Sequence, residues 1–143
     1  MAGGIVHRGT CVAIDGKAVL LEGPPGCGKS SLALQLIDRG AVLVGDDAVA
    51  LEAREAELIA SPPPNIAGRI EIRNVGIVTL PTCTAPAALR LLLDRDAPRH
   101  VGRAETAELC AIPLPTLRFD PAIPGAAVRV EYALRLHGLA GHA

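Results

Sequence analysis

Short apolar runs broken by glycine, proline and aspartate set the pattern of the first half of the chain. Residues 10–14 (TCVAI) and 17–21 (KAVLL) read as two β-strands around Asp15-Gly16, a strong two-residue hairpin signal. Over residues 31–38 the period becomes helical, with an apolar stripe through Leu32, Leu36 and Ile37 and a stop at Arg39-Gly40. Residues 41–44 read as a buried strand ending at Gly45-Asp46-Asp47, and residues 49–53 and 57–60 as a strand pair around Arg54-Glu55. Three consecutive prolines make residues 61–65 an irregular loop, because they fix φ and remove donors. Beyond it, alternation puts Ile70 and Ile72 on one face of a strand and Glu71 and Arg73 on the other. The run AALRLLLDRD after Pro86 fits helix and strand equally by period. Residues 97–107 are charged and read as a mobile loop, with Arg99 and Arg103 available to a phosphate, and residues 110–119 read as proline-punctuated strands. Val128, Tyr132, Leu136 and Leu139 recur at helical spacing, which predicts a closing helix over residues 126–136.

Between the hairpin's second strand and the first helix lies LLEGPPGCGKS, in which Gly23, Gly28, Lys29 and Ser30 stand at the spacing G-x-x-x-x-G-K-[ST]. Strand, glycine-rich loop and helix is the context in which this motif binds phosphate. Gly23, Gly26 and Gly28 let the backbone turn its N–H groups inward around Pro24, Pro25 and Cys27, and the helix beginning near Lys29 and running through Ser31 adds the positive end of its dipole. Lys29 is expected to reach the β and γ phosphates, and the Ser30 hydroxyl to hold Mg²⁺. A nucleoside triphosphate site follows. Only Lys17 and Lys29 among fourteen basic residues are lysines, so a lysine at the motif position is a chosen point charge.

Composition narrows the partners. With 143 residues, half of them apolar, the chain suits one domain with a core of Ala, Val, Leu and Ile. Phe119 and Tyr132 are its only aromatics, and the net charge of -1 comes with no basic run, which excludes the stacking and electrostatic footprint of a nucleic-acid binder. No apolar stretch is long enough to span a membrane, and the first ten residues lack the pattern of a signal peptide. Cys11, Cys27, Cys83 and Cys110 are scattered, without metal-like spacing, as in a reduced cytoplasmic protein; Cys27 alone lies inside the loop, beside Lys29.

A βαβ unit brings the carboxyl ends of its two strands to one side of the sheet, so Asp46 and Asp47 are expected beside the phosphate loop. In most P-loop NTPases the magnesium-binding carboxylate comes later in the chain and the nucleophile is water. Here the pair begins only 17 positions after Lys29, where a carboxylate can take a proton from an incoming hydroxyl, which favours a kinase over a mechanical ATPase. His7, at the start of the first strand, is expected near the loop in space.

His7, GPPGCGKS, the VGDD of residues 44–47 and the EIRNVGIV of residues 71–78 together resemble the catalytic domain of the bacterial HPr kinase/phosphorylases, whose signature is E-I-R-G-x-G-I. The IPLP of residues 112–115 and the closing helix agree more loosely. The resemblance implies an α/β P-loop domain related to phosphoenolpyruvate carboxykinases, with a central mixed sheet. It also implies ATP bound by residues 23–31, Mg²⁺ held by Ser30 and Glu71, and Asp46 as the base for an acceptor serine, with Asp47 supporting the site. His7 would lie near the transferred phosphate, and Arg99 would match an active-site arginine. The implied activity is transfer of phosphate to a serine of an HPr-like phosphocarrier of the phosphotransferase system, and its removal in many members, by a cytoplasmic homo-oligomer, commonly a hexamer. The chain reads as one catalytic domain, residues 1–143, without the N-terminal regulatory domain of longer members, like the short alphaproteobacterial forms. It departs from the family pattern at Asn74 and Arg8, where glycines are usual, and in an abbreviated basic C-terminal segment, Arg135-Leu136-His137-Gly138. Two other readings share part of this chemistry: a small-molecule kinase or carboxykinase-like enzyme, and a non-catalytic ATP-sensing module.

Overall fold

A computed structural model describes residues 4–65 and 67–140. In chain order the elements are β1 (Ile5–Arg8), β2 (Thr10–Ile14), β3 (Lys17–Glu22), α1 (Lys29–Asp38), β4 (Val42–Gly45), β5 (Ala48–Arg54), β6 (Glu57–Ser61), β7 (Arg69–Ile72), β8 (Gly76–Thr79), β9 (Ala85–Leu93), β10 (Glu105–Leu109), β11 (Ile112–Phe119) and α2 (Ala126–His137). Nine strands form one mixed sheet in the order β1-β5-β6-β9-β3-β2-β4, with β11 added to β9 and β10 to β11, while β7 and β8 pair separately. The α/β class and the mixed central sheet follow the expectation.

Strands β2 and β3 are apolar on both faces because both faces are covered. Val12, Val19 and Leu21 pack with Leu32 and Leu36 of α1 and Val130 and Leu134 of α2. Their neighbours Cys11, Ala13, Ala18 and Leu20 point the other way, against Leu51, Leu58 and Leu114 of β5, β6 and β11, so the sheet curls over its own second face. The hairpin turn between β2 and β3 takes the left-handed conformation at both Asp15 (φ 51°) and Gly16 (φ 78°), which the Asp-Gly pair tolerates.

Several elements differ from the sequence pattern. The ambiguous leucine-rich run is strand β9, buried at alternate and adjacent positions between β3 on one edge and β6 and then β11 on the other. Double-sided burial had erased its period. Arg73 lies in the turn after β7 instead of on the strand with Glu71. The end of the expected loop 97–107 is the start of β10, which returns to β11 through left-handed Cys110 and Ala111. Helix α2 forms where expected, but Val128, Tyr132, Leu136 and Leu139 face outward, and Ala126, Ala127, Val130 and Leu134 make its buried side. His7 sits not on the hairpin but on β1, a separate edge strand antiparallel to β5.

Candidate active site

Helix α1 begins at Lys29, directly on the loop, with Gly28 as its N-cap at φ 105° and no side-chain cap. The first-turn N–H groups are therefore left for an anion, and glycine supplies a backbone angle that other residues avoid. Cys27 N–H donates to Pro24 O at 3.2 Å, closing the loop on itself. Lys29 Nζ lies across it, donating to Gly23 O at 2.7 Å and Pro24 O at 3.2 Å. A side chain at Gly23 would meet Cys27 Sγ at 2.7 Å and Leu93 O at 3.3 Å, so the close approach needs glycine. A cavity of about 610 Å³ opens beside Pro24, Pro25, Gly26 and Cys27, with Asp94 and Arg118 on its other wall. Arg118 donates to Asp94, and the Asp96 backbone N–H, followed by that guanidinium, holds the Asp94 carboxyl below its ordinary range.

Strand β4 reaches the loop by an indirect route. Both β3 and β4 are antiparallel to β2, which lies between them, so they run parallel to each other and end at the same edge. There Ser30 Oγ donates to Asp46 Oδ1 at 2.7 Å, and Thr10 Oγ1 donates to the same oxygen at 3.1 Å. Thr10, fully buried, also accepts from Asp47 N–H at 3.3 Å, and Gly9 N–H donates to Asp47 O at 3.2 Å. These bonds hold Asp47 in the left-handed conformation, φ 62°, with its carboxylate exposed and without a side-chain partner among the described residues. The two neighbouring carboxylates thus differ: Asp46 is tied to the helix hydroxyl, and Asp47 is free.

His7 reaches the loop through a residue that carries no motif. Its Nε2 stands 2.9 Å from Glu22 Oε2, and Glu22 is gripped in turn by Arg90 of β9 at 2.7 and 2.8 Å. Glu71 lies exposed on β7, which Ile70 anchors in the core beneath α1; it makes no hydrogen bond with Ser30 or Asp46 among the described residues. Ser31 is exposed on the first turn of α1. Arg99 is separate: it lines a different cavity, of about 850 Å³, with Phe119, Tyr132 and Arg129, and among the described residues only Arg118 borders both. Thr10, Glu22, Arg90 and Arg118 are the site residues that sequence reasoning missed.

No group of three or more His, Cys, Asp or Glu side chains forms a metal cage among the described residues. A hydroxyl and a carboxylate 2.7 Å apart at the foot of a phosphate loop nevertheless suit magnesium, which takes oxygen ligands and keeps several positions for phosphate and water.

The family model for the HPr Serine kinase C-terminal domain matches residues 1–88. The HPr kinase/phosphorylase of Clostridium tetani is 43% identical over 75 residues, covering 52% of this chain and 25% of that protein. That of Shouchella clausii is 42% identical over 86 residues, covering 59% and 27%. The chain spans about a quarter of the length of these curated relatives. The solved structure of the Hpr(Ser) kinase/phosphatase from Coxiella burnetii superposes with a TM-score of 0.80 at 28% identity, covering 92% of this chain and 88% of that one. With its phosphate loop, acidic pair and E-I-R-N-x-G-I strand turn all inside the matched segment, the chain belongs to the HPr serine kinase C-terminal domain family.

Proposed function

We propose that residues 1–143 act as one catalytic domain of an ATP-dependent protein-serine kinase whose acceptor is an HPr-like phosphocarrier of the phosphotransferase system. The observation that carries this reading is the 2.7 Å bond between Ser30 of the phosphate loop and Asp46 of the acidic pair, which makes the two motifs one site. The loop N–H groups and Lys29 would take the phosphates of ATP, Lys29 leaving the carbonyls of Gly23 and Pro24 to do so. Ser30, with Asp46 behind it and Glu71 from β7, would hold magnesium, which when bound with the nucleotide neutralises charge on the transferring phosphoryl group.

The geometry favours a division of labour that the sequence left the other way round. Asp46 already accepts from two hydroxyls, so we assign it to orienting Ser30; the free carboxylate of Asp47 is the better candidate to accept the proton of an incoming seryl hydroxyl. Protonated, the same group would serve as the acid in the reverse, dephosphorylating direction. Arg118, which lines the loop cavity, replaces Arg99 as the candidate arginine. We place the activity in the cytoplasm, on the likeness to the HPr kinases, and in a self-associated form, because large apolar side chains on α2 and on the β7–β8 hairpin stand uncovered.

The test is incubation with γ-labelled ATP, magnesium and an HPr-like protein. The label is expected on a serine of that protein, and Lys29→Ala is expected to abolish it by removing the loop's only point charge, a loss of about 2 kcal/mol or more in nucleotide affinity. Label passing to a metabolite would favour the small-molecule kinase, and ATP binding without transfer would favour the sensing module.

A further inference from the structure

Glu22 is the last residue of β3, one position before the loop, where no motif asks for a carboxylate. Its side chain is 13% exposed and accepts from both Nε and an Nη of Arg90, while its Oε2 also faces His7 Nε2 at 2.9 Å. A carboxylate paired with a guanidinium only accepts, so the ring proton of His7 must sit on Nε2, and Nδ1 is the ring nitrogen with no partner among the described residues. The bidentate grip of Arg90 fixes the plane of the carboxylate, and Arg90 itself is held in register with Leu20 by the parallel pairing of β3 and β9. On its other side, His7 is carried by β1, opposite Val49, with Gly9 bonded to Asp47 O. The ring is thus tied to the residue that precedes the phosphate loop, on a strand whose continuation, Gly9, is tied to the acidic pair.

From this we infer that Glu22 is a positioning residue for phosphoryl transfer, holding His7 as the Nε2–H tautomer so that Nδ1 is the atom offered to the transferred group. The inference rests on the kinase reading above. Nδ1 then carries the ring's lone pair and is the acceptor to which an O–H of the reacting groups can donate, while Nε2–H stays on Glu22.

Glu22→Gln keeps the size of the side chain but lets its amide either donate or accept. Ring nitrogen-15 spectra, with His7 assigned by its loss in His7→Asn, should show the Nε2–H tautomer in the parent chain and a mixture in Glu22→Gln. Turnover with an HPr-like protein should fall about tenfold or more, with KM for ATP within about twofold, as for the partner of an orienting histidine. The double variant Glu22→Leu/Arg90→Leu replaces the ion pair by apolar packing; if the pair were only a tie between strands, this chain would regain parental turnover. An unchanged tautomer in Glu22→Gln, unchanged turnover, or full recovery in the double variant would each overturn the inference. Should the parent chain label no acceptor, the kinase reading fails, while the ring spectra still decide whether Glu22 sets the tautomer.

Discussion

Asn74 occupies a glycine position of the family signature with a glycine's backbone: its φ is 69°, in the turn that carries β7 into β8. Asparagine is among the few side-chain-bearing residues that tolerate this region, so the departure keeps the turn that presents Glu71. In urea unfolding, Asn74→Gly should leave stability within about 0.5 kcal/mol, whereas Asn74→Val should cost about 1–2 kcal/mol; equal stability of the two would contradict the role given to the turn. At this scale the sequence was legible where chemistry and spacing coincide, as in Gly23, Gly28, Lys29 and Ser30. It was silent on Glu22 and Thr10, because their partners Arg90 and Asp46 lie 68 and 36 positions away and meet them only through strand pairing. Nor could spacing separate Asp46 from Asp47. The difference comes from Thr10 and Ser30 both choosing the first of the pair.

Helix α2 was legible as a helix and illegible as to its face. Both sides carry apolar residues, and the smaller set, Ala126, Ala127, Val130 and Leu134, fits closely over the sheet, leaving Tyr132 60% and Leu136 77% exposed. The β7–β8 hairpin repeats the pattern, with Val75 in its turn and Ile77 on β8 each 71% exposed. Neighbouring exposed apolar side chains such as Tyr132 and Leu136, one helical turn apart, are a candidate contact surface. Sedimentation at micromolar concentration should therefore show a dimer or larger species, reduced to monomer by Leu136→Asp if α2 is the contact. A parent chain that sediments as a monomer would refute the self-association. Strand β9 failed to declare itself for a related reason, since burial on both faces removes the alternation by which a strand is read.

Across the whole molecule, the curled mixed sheet gathers pieces that are far apart in the chain. β3 delivers the loop and Glu22, β4 the acidic pair, β1 the histidine and β9 the arginine that braces Glu22, joined by the bonds Ser30–Asp46, His7–Glu22 and Arg90–Glu22. Fold class and loop followed from sequence pattern and resemblance, while the interposed β2 and the edge position of β1 required the pairing itself. The claim that matters most is that loop and acidic pair form one phosphoryl-transfer site. Its most direct test is single-turnover transfer from Mg-ATP to an HPr-like protein by Asp46→Asn and Asp47→Asn, with ATP binding measured in parallel. Asp47→Asn should bind nucleotide nearly as the parent does, yet transfer at least about a hundredfold more slowly. Asp46→Asn should weaken both magnesium-dependent binding and transfer, because Ser30 loses its carboxylate partner. Loss confined to Asp46→Asn with binding intact would return the proton to Asp46, and full transfer by both variants would contradict the account, leaving the pair as a turn.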